Sequence, residues 1–160
     1  MYSVRLWSVK NARLLEWLYN TSNPLILGTL KGVTKVFGTK LDRPITAAER
    51  GLKGFLFDCQ MCGSCQLSKT GMSCPMNCPK TLRNGPCGGV RPDGNCEVKP
   101  DMKCVWVLAW DGSEKMKNGD VIKDMEFSGD NRDKGKSTWL KLAREERPDV
   151  SVKPMQNTNV

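Results

Sequence analysis

Histidine is absent from this 160-residue sequence, and so is any long apolar run. Without histidine the usual general base at neutral pH is gone, and so is every mixed Cys/His zinc pattern, so any metal site must be built from thiolates and carboxylates. A cysteine nucleophile would lack its customary activator, leaving only lysine or arginine to lower a thiol pKa. No stretch approaches ~18 uninterrupted apolar residues, so a membrane-spanning helix is not expected. The opening MYSVRLWSVKNARLLEWLYN is broken by Arg5, Lys10, Arg13 and Glu16 and lacks a small-residue cleavage site, unlike a secretory leader. The expectation is a cytoplasmic protein with reduced thiols. There is no GxGxxG, no P-loop, no βα alternation of a barrel and no repeat of solenoid period, so the chain is not expected to bind a nucleotide or flavin by itself. Large aliphatics are also scarce in the middle. Residues 59–104 contain only Leu67, Leu82, Val90 and Val98, beside six glycines and five prolines. Such a segment cannot bury enough apolar surface to offset its conformational entropy, so its order must come from cross-links or metals.

That same segment holds all eight cysteines, as Cys59-x2-Cys62-x2-Cys65-x8-Cys74-x3-Cys78-x8-Cys87-x8-Cys96-x7-Cys104. In a reducing compartment they read as metal ligands before disulfides. The CxxCxxC run lets one loop wrap a corner of an iron–sulfur cube, and Cys74-Pro75 and Cys78-Pro79 carry the proline that follows the fourth cysteine in ferredoxins, although the spacing from Cys65 is longer. A zinc ribbon needs two separate CxxC knuckles, and only one overlapping set is present. Eight thiols suggest two four-thiolate sites: two [4Fe–4S] clusters, with one [4Fe–4S] and one zinc as the alternative. Gly85-Pro86-Cys87-Gly88-Gly89 suits a thiolate in a tight loop with free N–H groups, though the glycines are equally ordinary turn residues. Lys69, Lys80, Arg83, Arg91, Lys99 and Lys103 could stabilise a reduced cluster or form a solvated surface. The formal charge of +8 counts every thiol as neutral. Each four-thiolate zinc or oxidised cluster carries about −2, so two of them would leave roughly +4, and much of the basicity offsets thiolate charge.

On either side of the cysteines the patterning is helical or mixed. Val4, Trp7, Leu14, Leu15 and Leu18 are spaced to share one helix face. Asn23-Pro24 reads as the start of a second helix ending at Gly38, and Thr46 with Glu49 as a capping box that starts a third, running into Phe55 and Phe57. Val105 to Trp110 is rich in strand formers and precedes Asp111-Gly112, which predicts a hairpin or edge strand. Ser137 can cap a short helix carrying Trp139, Leu140 and Leu142 that stops at Pro148, and the tail from Asp149 has little reason to fold alone. The fold class expected is α+β, small and irregular: a helical docking arm at 1–45, a loop-rich cysteine domain at 46–112 whose order depends on metal, and a charged extension with a hairpin at 113–160.

The cysteine block also resembles a known family. Cys59-Gln-Met-Cys-Gly-Ser-Cys65, Thr70-Gly71-Met72, Cys74-Pro-Met-Asn-Cys-Pro-Lys80, Asn84-Gly-Pro-Cys-Gly-Gly89, Gly94-Asn-Cys-Glu97 and Cys104-Val-Trp106 are similar to the cysteine-rich methylenetetrahydrofolate reductase C-terminal domain. The resemblance spans about residues 46–112. It implies a partner, a flavin-bearing (β/α)8-barrel subunit that interconverts 5,10-methylene- and 5-methyltetrahydrofolate, with this chain as the small electron-transfer subunit and the flavin in the partner only. It also implies that Cys59, Cys62, Cys65, Cys74, Cys78, Cys87, Cys96 and Cys104 are the ligands, with members known to use iron–sulfur and also zinc. Two rival readings stand beside it. One is an adaptor whose zinc or cluster is purely structural. The other, a zinc-dependent nucleic-acid module, is prompted by the basic charge but lacks a long basic run or an RNA-type aromatic motif. Nucleic acid and membrane are therefore not expected partners.

Overall fold

A computed structural model describes residues 2–124 and 130–144. Five helices carry the architecture: α1 (Tyr2–Lys10), α2 (Ala12–Phe37), α3 (Asp42–Phe57), α4 (Val105–Ser113) and α5 (Thr138–Arg144), with short 3-10 turns at Pro75–Asn77, Gly119–Lys123 and Asn131–Asp133. None of these helices is long and apolar enough to cross a membrane. Helix α5 packs against both α2 and α3, the two longest helices. Helix α1 crosses α3 and α4, and the fully buried Ser8 hydroxyl donates to the Leu56 carbonyl at 2.8 Å, fixing that crossing.

The first core cluster joins the start of α2 to the cysteine segment: Ala12 and Leu15 pack with Phe57, Leu67, Met72, Cys74 and Met116. Glu16, also buried, accepts from the Lys117 and Asn118 amides at 2.6 and 3.0 Å and so ties the turn after α4 to α2. An N–H pair bonded to a carboxylate satisfies both sides of a buried polar contact.

Four expectations from the sequence are corrected. The predicted strand from Val105 to Trp110 is helix α4, with Cys104 at its N-cap and Leu108 N–H bonded to the Cys104 carbonyl. Val105, Trp106, Leu108, Ala109, Gly112 and Ser113 are buried, and the less buried face carries the apolar Val107 and Trp110 beside Asp111, so hydrophobicity does not show the helical period. The antiparallel pairing lies upstream instead, in two isolated bridges, Val90 with Cys96 and Asn95 with Lys103. The mostly helical fold thus replaces the α+β class with its hairpin. Asn23-Pro24 does not start a helix, since α2 runs through Pro24. Proline keeps a helical φ and sacrifices only one hydrogen bond there. Helix α3 starts at Asp42, ahead of the Thr46/Glu49 capping box, and Glu49 turns inward. The proposed single stripe is divided by the break at Asn11; Leu15 is buried, but Trp7, Leu14 and Leu18 are exposed. By contrast Ser137 does cap α5, its hydroxyl accepting from Leu140 N–H at 3.1 Å. The expected stop at Pro148 and the tail from Asp149 lie outside the described residues.

Two glycines decide how closely α4 docks. A Cβ on Gly71, which has φ +57°, would stand 2.2 Å from the Ala109 carbonyl oxygen, and one on Gly112 would stand 2.0 Å from the Gly71 carbonyl oxygen. Backbone meets backbone there, so neither neighbour can rotate away. Gly28, in the body of α2, has nothing within 4 Å of its Cβ position. We therefore expect Gly112→Ala to destabilise by about 1–3 kcal/mol or more through overpacking, and Gly28→Ala to stabilise by about 0.5–1 kcal/mol through reduced unfolded-state entropy. Thermal unfolding of the two variants should shift in opposite directions.

Candidate metal centre

Cys59, Cys62, Cys65 and Cys74 line one cavity of about 20 Å³, together with Lys53, Leu67, Pro75, Met76 and Arg83. That is space for roughly one water-sized body. Two chain segments meet here. The first leaves α3 through Asp58 in a left-handed conformation, φ 53°, and passes Met61 at φ 48° and Gly63 at φ 74°, which curls Cys59 to Cys65 into a tight loop. The second is the turn at Pro75–Asn77, which follows Cys74 and is held by Asn77 Nδ2 donating to the Phe57 carbonyl at 2.8 Å.

The loop is clamped from three sides. Gly135 N–H donates to the Met61 carbonyl at 2.7 Å, Arg83 donates to the Ser64 carbonyl at 2.9 Å, and Gly63 lies so near Asp133 that a Cβ would stand 2.4 Å from its carbonyl oxygen. Met61 N–H points to Cys59 Sγ at 3.4 Å, and the Met76 amide serves Cys74 in the same way. Amides aimed at sulfur are what a ligating thiolate requires of its surroundings.

Thiolate charge is disfavoured in this cavity as it stands. Burial pushes the Cys74 thiol up to about 12, with the neighbouring Cys59, Cys65 and Cys62 adding to the rise. Burial likewise raises Cys59, and Cys65 and Cys62 contribute there too. Thiols such as Cys59 and Cys74 ionise here only if a cation shares the space. The donor set therefore fits a thiolate-bound metal. Among the described residues no three His, Cys, Asp or Glu side chains already converge on one ligating point.

One cation is built into the wall. Lys53 is buried, 6% exposed, and its ammonium bonds Glu49 at 2.5 Å and stands 4.9 Å from the Trp139 ring centroid. Glu49 is fully buried and accepts in turn from the Ser137 hydroxyl and from Trp139 N–H at 3.4 Å. Burial by itself would lower the Lys53 pKa, but Cys65, Glu49 and Cys59 outweigh it and hold the ammonium above its ordinary value. Tyr19 packs on the same core beside Cys65, and burial first, then Cys65, raises its phenol.

The other four cysteines lie around the paired segments between residues 89 and 104. Cys78 packs against Cys96, Met102, Val105 and Tyr2. Cys96 N–H donates to the Met102 carbonyl at 2.9 Å and Cys104 N–H to the Gly94 carbonyl at 3.0 Å, beside the two isolated bridges. Cys104 itself packs with Trp106 and Ala109. Cys87 is reached by Lys80 Nζ at 3.8 Å, and the same ammonium pairs with Glu97. Gly89 lies against the Glu97 carboxylate, where a Cβ would displace that side chain. Of the basic residues named from the sequence, Lys80 touches a cysteine and Arg83 the loop of another. Lys53, Glu49 and the Asp133 to Gly135 turn were not anticipated. The i,i+4 spacing of Glu49 and Lys53 is visible in the sequence, but nothing there distinguishes a buried pair from a surface one.

Comparison with known proteins finds the family described as "Methylene-tetrahydrofolate reductase C terminal" matching residues 39–132, which takes in every cysteine. No curated protein and no solved structure matches the chain.

Loading of this cavity should release protons. With Cys59 and Cys74 both raised, at least two protons leave on metal binding below their pKa values, so apparent affinity should climb at least about a hundredfold per pH unit between pH 6 and 8. Competition with a chromophoric chelator across that range measures the slope; a pH-independent affinity would show that these thiols are not ligands.

Proposed function

Because the chain belongs to the methylene-tetrahydrofolate reductase C-terminal family, we propose that it is the metal-bearing, non-catalytic small subunit of a methylenetetrahydrofolate reductase complex. In this reading it passes electrons to or from the flavin of a barrel-fold partner that interconverts 5,10-methylene- and 5-methyltetrahydrofolate. The observation that carries it is the meeting of Cys59, Cys62, Cys65 and Cys74, from two separate segments, around one buried cavity. The metal complement proposed is two [4Fe–4S] clusters, one held by those four residues and one by Cys78, Cys87, Cys96 and Cys104. Such clusters supply one-electron transfer at a potential set by charge, sulfur hydrogen bonds and solvent exposure.

The protein's own residues address each of these three factors. Phe57, Leu67 and Met72 keep water from the first site. The Met61 and Met76 amides serve sulfurs. Lys53 brings positive charge to the first site and Lys80 to Cys87. The exposed Trp7, Leu14, Trp17 and Leu18 on α1 and α2 form an apolar surface suited to the partner subunit.

One observation favours a second reading. A cavity of about 20 Å³ matches a single ion better than a four-iron cube, which points to zinc at Cys59, Cys62, Cys65 and Cys74 and to a structural adaptor role for that half. Metal analysis with EPR on anaerobically isolated native complex separates the two. The electron-transfer reading expects about eight irons per chain, a reducible centre and co-purification with a flavoprotein. Zinc with no reducible centre selects the adaptor, and neither metal defeats both. Trp17→Glu should release the flavoprotein on size exclusion while leaving the metal content unchanged.

A further inference from the structure

Lys53 and Glu49 are both buried, at 6% and 0% exposure. An ammonium is costly to bury, and a Glu–Lys pair far from any site is the plain structural explanation for one. The Glu49–Lys53 pair is not far from a site. Lys53 lines the same cavity as Cys59, Cys62, Cys65 and Cys74. Glu49 takes one of the three ammonium donors, and no other hydrogen bond to that nitrogen is present among the described residues. Glu49 is meanwhile satisfied from behind by Ser137 and Trp139, so the pair is anchored on the α5 side while Lys53 lines the wall of the cysteine cavity. Arg83, the other cation on this wall, is half-buried and donates to the Ser64 carbonyl.

We propose that Lys53 is the resident counter-cation of a four-thiolate metal centre at Cys59, Cys62, Cys65 and Cys74, and that Glu49, Ser137 and Trp139 hold it there. This rests on the reading that these cysteines bind metal. A four-thiolate zinc site or oxidised cluster carries about −2, and a buried charge of opposite sign is weakly screened. Lys53 therefore strengthens metal retention, whichever metal is present. With a redox-active metal it also favours the reduced, more negative form. Because α5 supplies Ser137 and Trp139, this places the α5 region in control of the centre's charge although it contributes no ligand.

The test uses the full chain in its native complex, with Lys53→Met/Glu49→Gln to remove both charges, Lys53→Gln as a second neutral variant that keeps a donor for Glu49, and Lys53→Arg to restore the charge. Circular dichroism and metal content establish that each is folded and loaded. Loss of metal to a chelator should be at least about tenfold faster in the neutral variants, and where iron is present the reduction equilibrium should weaken about tenfold, which is 59 mV for a one-electron centre. Lys53→Arg should return most of both effects, which a packing role alone would not produce. Folded, fully loaded neutral variants with native retention and potential would overturn the proposal while leaving the metal reading intact. A native protein holding no metal would overturn both.

Discussion

Burial of closely spaced thiols, reinforced by repulsion between their charged forms, is the constraint around which this site is organised. Cys59, Cys62, Cys65 and Cys74 share one small cavity, and burial together with their mutual repulsion holds Cys59 and Cys74 protonated well above neutral pH. Such a group is indifferent in its protonated form and strongly attractive to a cation once deprotonated. The segment carrying it has few aliphatics of its own, so under the proposed metal reading the same sulfurs that create the electrostatic demand also supply its means of becoming ordered.

The helices meet the other half of the demand. Helix α3 delivers the chain into the cysteine loop and presents Lys53 along its inner face one turn before the end. Helix α5, only seven residues long, packs against α2 and α3 and fixes Glu49 through Ser137 and Trp139. Helix α4 packs closely on the turn at Gly71 through Gly71 and Gly112, and its N-cap is Cys104, which ties that cysteine directly to the helical core. Loop and scaffold are therefore interdependent: the carbonyl of Met61 in the loop is bonded by Gly135, and that of Ser64 by Arg83.

The basic composition takes on a local meaning in this light. Lys80 lies against Cys87 and Glu97, Arg83 braces the first loop, and Lys53 is buried in the wall of the cysteine cavity. Three of the cations are thus engaged at or next to the cysteine groups.

Much of this was readable from residue order alone. The family, the cysteine-rich segment and the Ser137 cap depend on local chemistry and spacing, which a sequence displays directly. Three features were decided by the tertiary structure. Val105 to Ser113 forms a helix whose less buried face carries the apolar Val107 and Trp110, so hydrophobicity hides the periodicity by which helices and strands are told apart. Glu49 abandons its capping partner because a buried lysine and the start of α5, 88 residues away, offer it stronger bonds. The company kept by Cys74 follows the same rule: spacing cannot say which sulfurs share a cavity, since the chain between Cys65 and Cys74 turns back through Gly71 and Met72 in left-handed conformations before the fourth sulfur reaches the other three.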